Sequence, residues 1–538
     1  QRGLWQRTGK EQLADAFLPQ SVLGAFQRRI DKLSDKSRQA LALAAILEPG
    51  PEFNVPHWAA LLGHEMPDQD VEQVLKEGLK QRLIRNIGHN RYAFRPADIS
   101  KALAATLTGT RRAELHQRLA GLLQQSGADP LLVGHHHEQG GSPQTAAQFL
   151  EAAGAKAMAK DAINAALSYY NRATTLNPSA TAYRAIGRIN RQQGNHDEAI
   201  EAYEKTLIHV QTLGDAAEEA NVLNSLSLTY CLNDQLEKAQ RHAENVLKLD
   251  SASAASRAIA KSQLGLILWR TGHLAEAESW CQQAIQSLAG TEHPTQLAEA
   301  YSQLGIVYRS QGQFKKARLA WQNAQKIYGE TSDQVGIGQV LNHLGHLATE
   351  MSNFEQAAEL LKKALEIFKQ HNARDGDLLV YLNEGRLLIY QQRPDKALPY
   401  LTKALDLARE INKHSAYIIG EIYRLMAQAM LGSGDVDRAK SAADDAHQLA
   451  TRAGHRELAA QADLILAQIY QAQNNLTAAA AMFKNGLDLF RQVGSRPGVV
   501  RAKWHSAQFL RRQGQTAEAA RLQGEAEVEA EAMRLYLY

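Results

Sequence analysis

Residues 302–328 read SQLGIVYRSQGQFKKARLAWQNAQKIY. Gly312 closes one helix and a polar residue opens the next, so the stretch describes two helices joined by a tight turn. Gly305 and Ala317 stand twelve residues apart within it. The same spacing of small residues recurs as Gly154/Ala166, Gly187/Ala199, Ser227/Ala239, Gly265/Ala277, Gly345/Ala357, Gly385/Ala397, Ala427/Ala439, Ala467/Ala479 and Ala507/Ala519. The first interval between markers is 33 residues and the others run from 38 to 42, mostly 40. A fixed period of this size marks a solenoid, in which each repeat stacks only on its neighbours.

Leu304-Gly305, Tyr308, Ala317, Trp321 and Ala324 resemble the tetratricopeptide repeat position by position, as do Gly154, Ala166, Tyr170, Ala173 and Pro178. Each match has a packing reason. Gly and Ala let the two antiparallel helices of a repeat approach, and the aromatic residue fills the space towards the next helix. The turns QQGNHDEA, RTGHLAEA, SQGQFKKA and GSGDVDRA have the same form. A 40-residue period exceeds the 34 of the basic repeat, which resembles the long-repeat subtype of kinesin light chains, bacterial peptide-sensing regulators and the sensor arms of large signalling ATPases. The expected fold is nearly all-α, a superhelical solenoid of about ten helical hairpins over 144–520, with a capping helix at 521–538.

The first 140 residues do not repeat. Helices are expected near Val22–Leu33, from Ser34 to about Leu47, at Val55–Leu62, Val71–Gln81, Ala97–Leu107 and Arg111–Gln125. A hairpin is expected through Leu83–Asn86 and Arg91–Phe94 around a Gly/Asn turn. Helices ending in a small hairpin suggest a winged helix, placed at 18–108 after a linker at 1–17 and before a helical linker at 109–143. Three runs, LPQSVLGAFQRRIDKLSDKSRQALALAAILEPGPEF, RYAFRPADISKALAATLTGTRRAELHQRLAGLL and HHHEQGGSPQTAAQFLEAAGAKA, resemble the region after the nucleotide-binding domain of signal-transduction ATPases with numerous domains. That resemblance implies a winged helix leading into a tetratricopeptide sensor, with an ATPase domain upstream of Gln1. The family carries a His after the equivalent of Phe94-Arg95, and this chain has Pro96 there. Thr8-Gly9-Lys10-Glu11 lacks the glycine spacing and hydroxyl of a phosphate loop. The chain itself is therefore expected to be no enzyme and to need no cofactor.

Composition points the same way. Aromatics are 6% and the formal charge is +3, little basis for a polyanionic partner. The segment around 71–81 carries Asp68, Asp70, Glu72 and Glu77, which would repel phosphates and argues against DNA. No apolar run long enough for a membrane span and no signal peptide are present. Cys231 and Cys281 suit a reducing cytoplasm, as buried packing residues. His135, His136 and His137 are adjacent on one helix and point in different directions, so structural use is expected over a metal. His343 and His346 stand three residues apart with Glu350 four residues further on, and are read as groove surface rather than a metal site.

In such a superhelix the first helix of each repeat lines the concave side. Positions three before, one after and four after the marker share one helical face. They select Arg184, Arg188, Arg191, Asn224, Trp269, Arg309, Asn342, His346, Arg386 and Arg424 as the binding groove. Arginines can pair bidentately with carboxylates, and asparagines can bond an extended backbone. The expected partner is a protein or peptide, with acidic groups favoured. The arginines could instead pair with acids on neighbouring helices and stiffen the solenoid. The expected role is the sensor and regulatory arm of a bacterial signalling ATPase; a passive adaptor and a winged-helix DNA-binding regulator are the alternatives.

Overall fold

The computed structural model describes residues 26–68, 70–411 and 415–537. The linker expected at 1–17 and the beginning of the helix expected at Val22 lie outside them. The chain forms two compact units, Gln1–Ala185 and Ile186–Tyr538.

In the first unit, Ser34 caps the helix Asp35–Ala44 by accepting a hydrogen bond from the Ser37 amide. Strand β1 (Glu52–Asn54) follows, then helices Val55–Glu65 and Val71–Lys80, the latter capped by Asp70. Strands β2 (Ile84–Gly88) and β3 (Arg91–Phe94) complete an antiparallel sheet in the order β1-β3-β2. This order of helices and strands is compatible with the winged helix expected there. The three-residue β1 is too short to register as a period-two pattern and was not anticipated. Phe53 on β1 packs edge-on to Trp58 and beside Phe94, and the Trp58 indole donates to Ala40 O at 2.8 Å. The same core includes Leu115, Leu119, Leu123 and Val133. The expected linker at 109–143 is thus no free connector, because its helices Gly109–Gln125 and Pro130–Gln139 bury their apolar faces in that core. His136 shows why: its Nε2 meets Leu47 O and its Nδ1 meets His116 Nδ1, both at 2.8 Å. Burial holds His116 down to about 4 and His136 to about 3, so both rings are neutral: His136 donates from Nε2 to Leu47 O and accepts at Nδ1 from His116 Nδ1, which ties the helices together.

From Pro143 the helices come in pairs, beginning with Pro143–Met158 and Ile163–Leu176 and ending with Arg496–Arg512 and Thr516–Met533. Ten such pairs follow one another among the described residues. The helix expected to cap the array at 521 is the second helix of the tenth repeat and starts at Thr516. The residue sixteen after the marker lies over it. A Cβ on Gly305 would come within 2.5 Å of the Trp321 ring. Trp321 is fully buried, donates to Ser302 O at 3.0 Å and stacks on His343 of the next repeat at 5.4 Å. Cys281 fills the corresponding place over Gly265, which makes it a packing residue. Cys231 is also buried, and burial raises both thiols.

The second unit closes on itself. The turn residue seven after the marker has positive φ in repeats 2–10, and it is Gly in repeats 2, 4, 5, 8 and 10. Repeat 3 has Asp234 there, at φ 55. Its carboxylate accepts from the Ala416 amide, from Ser415 Oγ at 3.3 Å, from His455 Nε2 at 3.1 Å and from Arg270 Nη1 at 3.3 Å. Repeat 3 is thereby joined to the beginnings of repeats 8 and 9. Gly272, the turn of repeat 4, meets Val493, and Gly312, the turn of repeat 5, meets Pro497 and Met533. The Tyr536 amide then donates to Glu350 O at 2.9 Å. Turns of repeats 3, 4 and 5 are thus seated on elements roughly five repeats further on, forming a continuous seam.

Candidate functional site

The seam turns the inner face of the repeat unit into a chamber of about 90 Å³. Trp269, Arg309, His346, Arg386 and Arg424 all line it. They come from the first helices of repeats 4 to 8, Ala254–Thr271, Pro294–Ser310, Gln334–Glu350, Arg374–Tyr390 and Ala416–Gly432. The lining runs one turn beyond the positions chosen from sequence, and there it carries acids. Glu350 receives Arg309 Nη1 at 3.3 Å and Arg501 Nη2 at 3.1 Å. Glu421 receives Arg386 Nη2 at 2.5 Å and a bidentate pair from Arg424 at 2.6 and 2.7 Å. Arg309 and Arg386 are partnered across helices, and Arg424 pairs with Glu421 on its own helix. Trp269 packs edge-on to Tyr417 and donates to Ser310 Oγ at 2.9 Å.

Electrostatics follow from burial and these pairs. Burial opposes charge on Glu421, but Arg424 and Arg386 outweigh it and hold its carboxyl down to about 2. Burial likewise opposes charge on Glu350, and Arg309 with Arg501 keeps it below the usual range. Glu457 goes the other way: burial raises it, and neither Arg309 nor the Ser495 hydroxyl at 2.7 Å reverses that. Burial and the neighbouring arginines keep the His346 imidazole neutral, and burial with Arg501 holds His505 down to about 4. A depressed carboxyl contributes stability above its unfolded value near 4.5, which is lost as pH falls through its folded value. Urea unfolding midpoints should therefore fall between pH ~4.5 and pH ~2, and Glu421→Gln should flatten that arm. An unchanged pH slope in the variant would show that Glu421 contributes nothing to it.

The remaining sequence-selected residues lie elsewhere. Asn224 is buried, and its amide donates to Ser256 O at 2.9 Å. Asn342 is buried too, accepting from Asn383 Nδ2 at 2.8 Å. Both were expected to face a ligand backbone; instead they bond neighbouring first helices, because that face is covered by the adjacent repeat. Arg184 and Arg188 are exposed on the helix Ala180–Gln192, Arg184 belonging to the first unit. Arg191 enters the wall of a separate open cleft of about 1050 Å³, with Asn195, Leu232, Asn372 and Arg374. Sequence reasoning missed Tyr390, Tyr417, Glu457, Arg501 and His505 as lining residues. Tyr390 stands four residues after Arg386, so extending the helical face by one turn would have found it.

Neither cysteine is placed as a nucleophile, and among the described residues no three His, Cys, Asp or Glu side chains are arranged to hold a metal. Among them too, no helix is long and apolar enough to cross a membrane.

Comparison with known proteins agrees with this architecture. The MalT-like TPR region family matches residues 218–377, and tetratricopeptide-repeat families match 178–252, 379–411 and 466–532. No curated protein matches the chain. Among solved structures, a Rap protein complexed with Competence and Sporulation Factor is 15% identical, with a TM-score of 0.50, over 66% of this chain and 98% of its own. A Signal Transduction ATPase with Numerous Domains from Pyrococcus horikoshii, with a tetratricopeptide repeat sensor, is 16% identical at a TM-score of 0.44. The match covers 79% of this chain, which spans only 64% of that protein. The Rap conjugation gene regulator of plasmid pLS20, solved with the Phr* peptide, is 14% identical over 65% of this chain and 96% of its own, at a TM-score of 0.45. With repeat families matching more than half of its length and ten helical hairpins in series, the chain belongs to the tetratricopeptide-repeat proteins.

Proposed function

We propose that the chain is the sensor and regulatory arm of a signalling ATPase, recognising a protein or peptide segment through its repeat unit. The winged-helix order of the first unit followed by long tetratricopeptide repeats supports this reading, since the same order is implied by the sequence resemblance to those ATPases. The observation that carries the binding half is the open cleft with Arg191 in its wall and exposed Arg188 one helical turn away. Arg188 and Arg191 offer guanidinium groups to the carboxylates of such a segment, beside Asp375 and Glu410 in the same wall. The similarly folded Rap protein was solved with a bound factor, in keeping with a ligand-holding solenoid. The winged helix serves as a connector in this reading. Asp70 caps its third helix and Glu77 accepts from the Ser34 hydroxyl at 3.1 Å, so the acids there are structural and DNA is a poor partner. Ligand held by the repeats would act on an upstream ATPase only through different affinity for two states of the arm.

Selection of random peptides displayed on phage tests the binding half directly. Enriched sequences should be rich in Asp and Glu, and Arg188→Glu with Arg191→Glu should weaken their binding at least about tenfold, or ~1.4 kcal/mol. Enrichment without acidic bias, or affinity unmoved by the charge reversals, would sink the acidic-segment reading.

A further inference from the structure

Where the turn of repeat 5 meets repeat 10, the seam leaves an open cleft of about 530 Å³. A Cβ on Gly312 would collide with Met533 Sδ, so the two repeats touch closely at its base. One wall is the first turn of the helix Phe314–Glu330, and the other is the end of the helix Thr516–Met533. Lys315, Lys316, Arg318 and Arg534 line the cleft, and no acid does. Lys315, Lys316 and Arg534 are exposed, and Arg318 is half-buried. Two of the four have uncharged partners. Lys316 Nζ lies 5.2 Å from the centre of the Tyr308 ring, and Arg318 Nη2 meets Met351 Sδ at 3.6 Å. Among the described residues, none of the four forms an ion pair with a carboxylate. Glu531, three residues before Arg534, accepts from its amide through the backbone carbonyl. Four like charges around one cleft repel each other, and an acidic partner offsets that repulsion. Phe314, Met351 and Met533 supply the apolar part of the lining. Their thioethers adapt to side chains of varied shape.

We propose that this cleft docks an acidic polypeptide segment. One apolar side chain of the segment sits against Phe314, Met351 and Met533, and flanking carboxylates meet the four cations. Charge complementarity selects the flanks. The apolar lining selects a protein over a nucleic acid, whose phosphate backbone has nothing apolar to fill it and follows a track of cations. The cleft shares no lining residue with the one at Arg191 and stands whether or not that one binds peptides. Its walls come from repeats 5 and 10, so a docked segment favours the closed unit over an opened one.

The experiment measures fluorescence anisotropy of short labelled peptides, each with one variable residue flanked on both sides by Asp and Glu. It uses the full chain, and again the chain with Arg188→Glu and Arg191→Glu, so that binding in the other cleft is read separately. Peptides with Leu, Met or Phe at the variable place should bind saturably and more tightly than those with Ser or Lys. Exchanging the flanks for Asn and Gln should weaken binding at least about tenfold, and so should Lys315→Glu with Arg534→Glu. Both positions are exposed, and a Glu at 315 suits the first turn of a helix. Lys315→Glu alone keeps the test decisive if the double variant fails to fold. The proposal is overturned by no saturable binding, by equal binding of the amide-flanked peptides, or by unaltered affinity in Lys315→Glu. It is overturned too if an oligothymidylate binds more tightly than every peptide at a site that Lys315→Glu removes.

Discussion

Replacing Asp234 by Ala is expected to destabilise the repeat unit by about 3–5 kcal/mol and to part its seam. Arg270 and His455 are both buried at this point, 9% and 2% exposed. Removing the carboxylate strands a guanidinium inside the protein and leaves the Ser415 hydroxyl and the Ala416 amide without their acceptor. An uncompensated buried cation is far costlier than the pair is favourable. The substitution leaves a left-handed turn occupied by another side-chain-bearing residue, so backbone strain changes little and the loss reports the contacts. Asp234→Asn should fall between the two, since an amide oxygen still accepts but carries no charge. Denaturant unfolding gives the stability, and small-angle scattering gives the radius of gyration, which should increase if repeat 3 separates from repeats 8 and 9. A stability change below about 1 kcal/mol with unaltered scattering would mean that the seam is held elsewhere.

Trp321→Ala should cost about 3–5 kcal/mol, the usual range for a large aromatic truncated in a packed interior. Trp321 is fully buried between Gly305 of its own repeat and His343 of the next, and its indole hydrogen is engaged by Ser302 O. In a stacked array each repeat is stable largely through its interfaces with its neighbours. The damage should therefore spread to repeats 5 and 6 first, and hydrogen exchange should quicken in 294–370 before it does in the helices of repeat 9. Uniform acceleration across the whole unit would show instead that the seam makes all the repeats one cooperative block.

The two substitutions differ in how readable they were. Trp321 is announced by the sequence, because its place sixteen residues after a marker glycine is set by local helix geometry and repeats along the chain. Asp234 left no such trace: five repeats use Gly at that turn and the other five use Asp161, Asp234, Ser352, Gln392 or Asn474. Nothing nearby in the sequence says what its carboxylate meets. Apart from Arg270, its partners stand 181 to 221 residues further on.

The candidate site divides along the same line. Phase alone put Trp269, Arg309, His346, Arg386 and Arg424 on the inner face, and they line the chamber. It could not supply Arg501, which reaches Glu350 across 151 residues, nor show that Asn224 and Asn342 are covered by adjacent repeats. In the first unit, the hairpin and most helices were legible from apolar pattern and caps. The three-residue β1 was not, since its pairing with β3 is what makes it a strand.

By itself the sequence determined the repeat, its register, its hairpin turns and the face each first helix turns inward. These are governed by contacts within a few dozen residues, where helical period and small-residue spacing leave one packing solution. Only the tertiary structure decided that the unit winds tightly enough for repeat 3 to meet repeats 8 and 9. Small rotations between successive repeats add along the array, so closure depends on their sum rather than on any local pattern. That sum brought arginines and glutamates from repeats 5 to 10 together around one chamber.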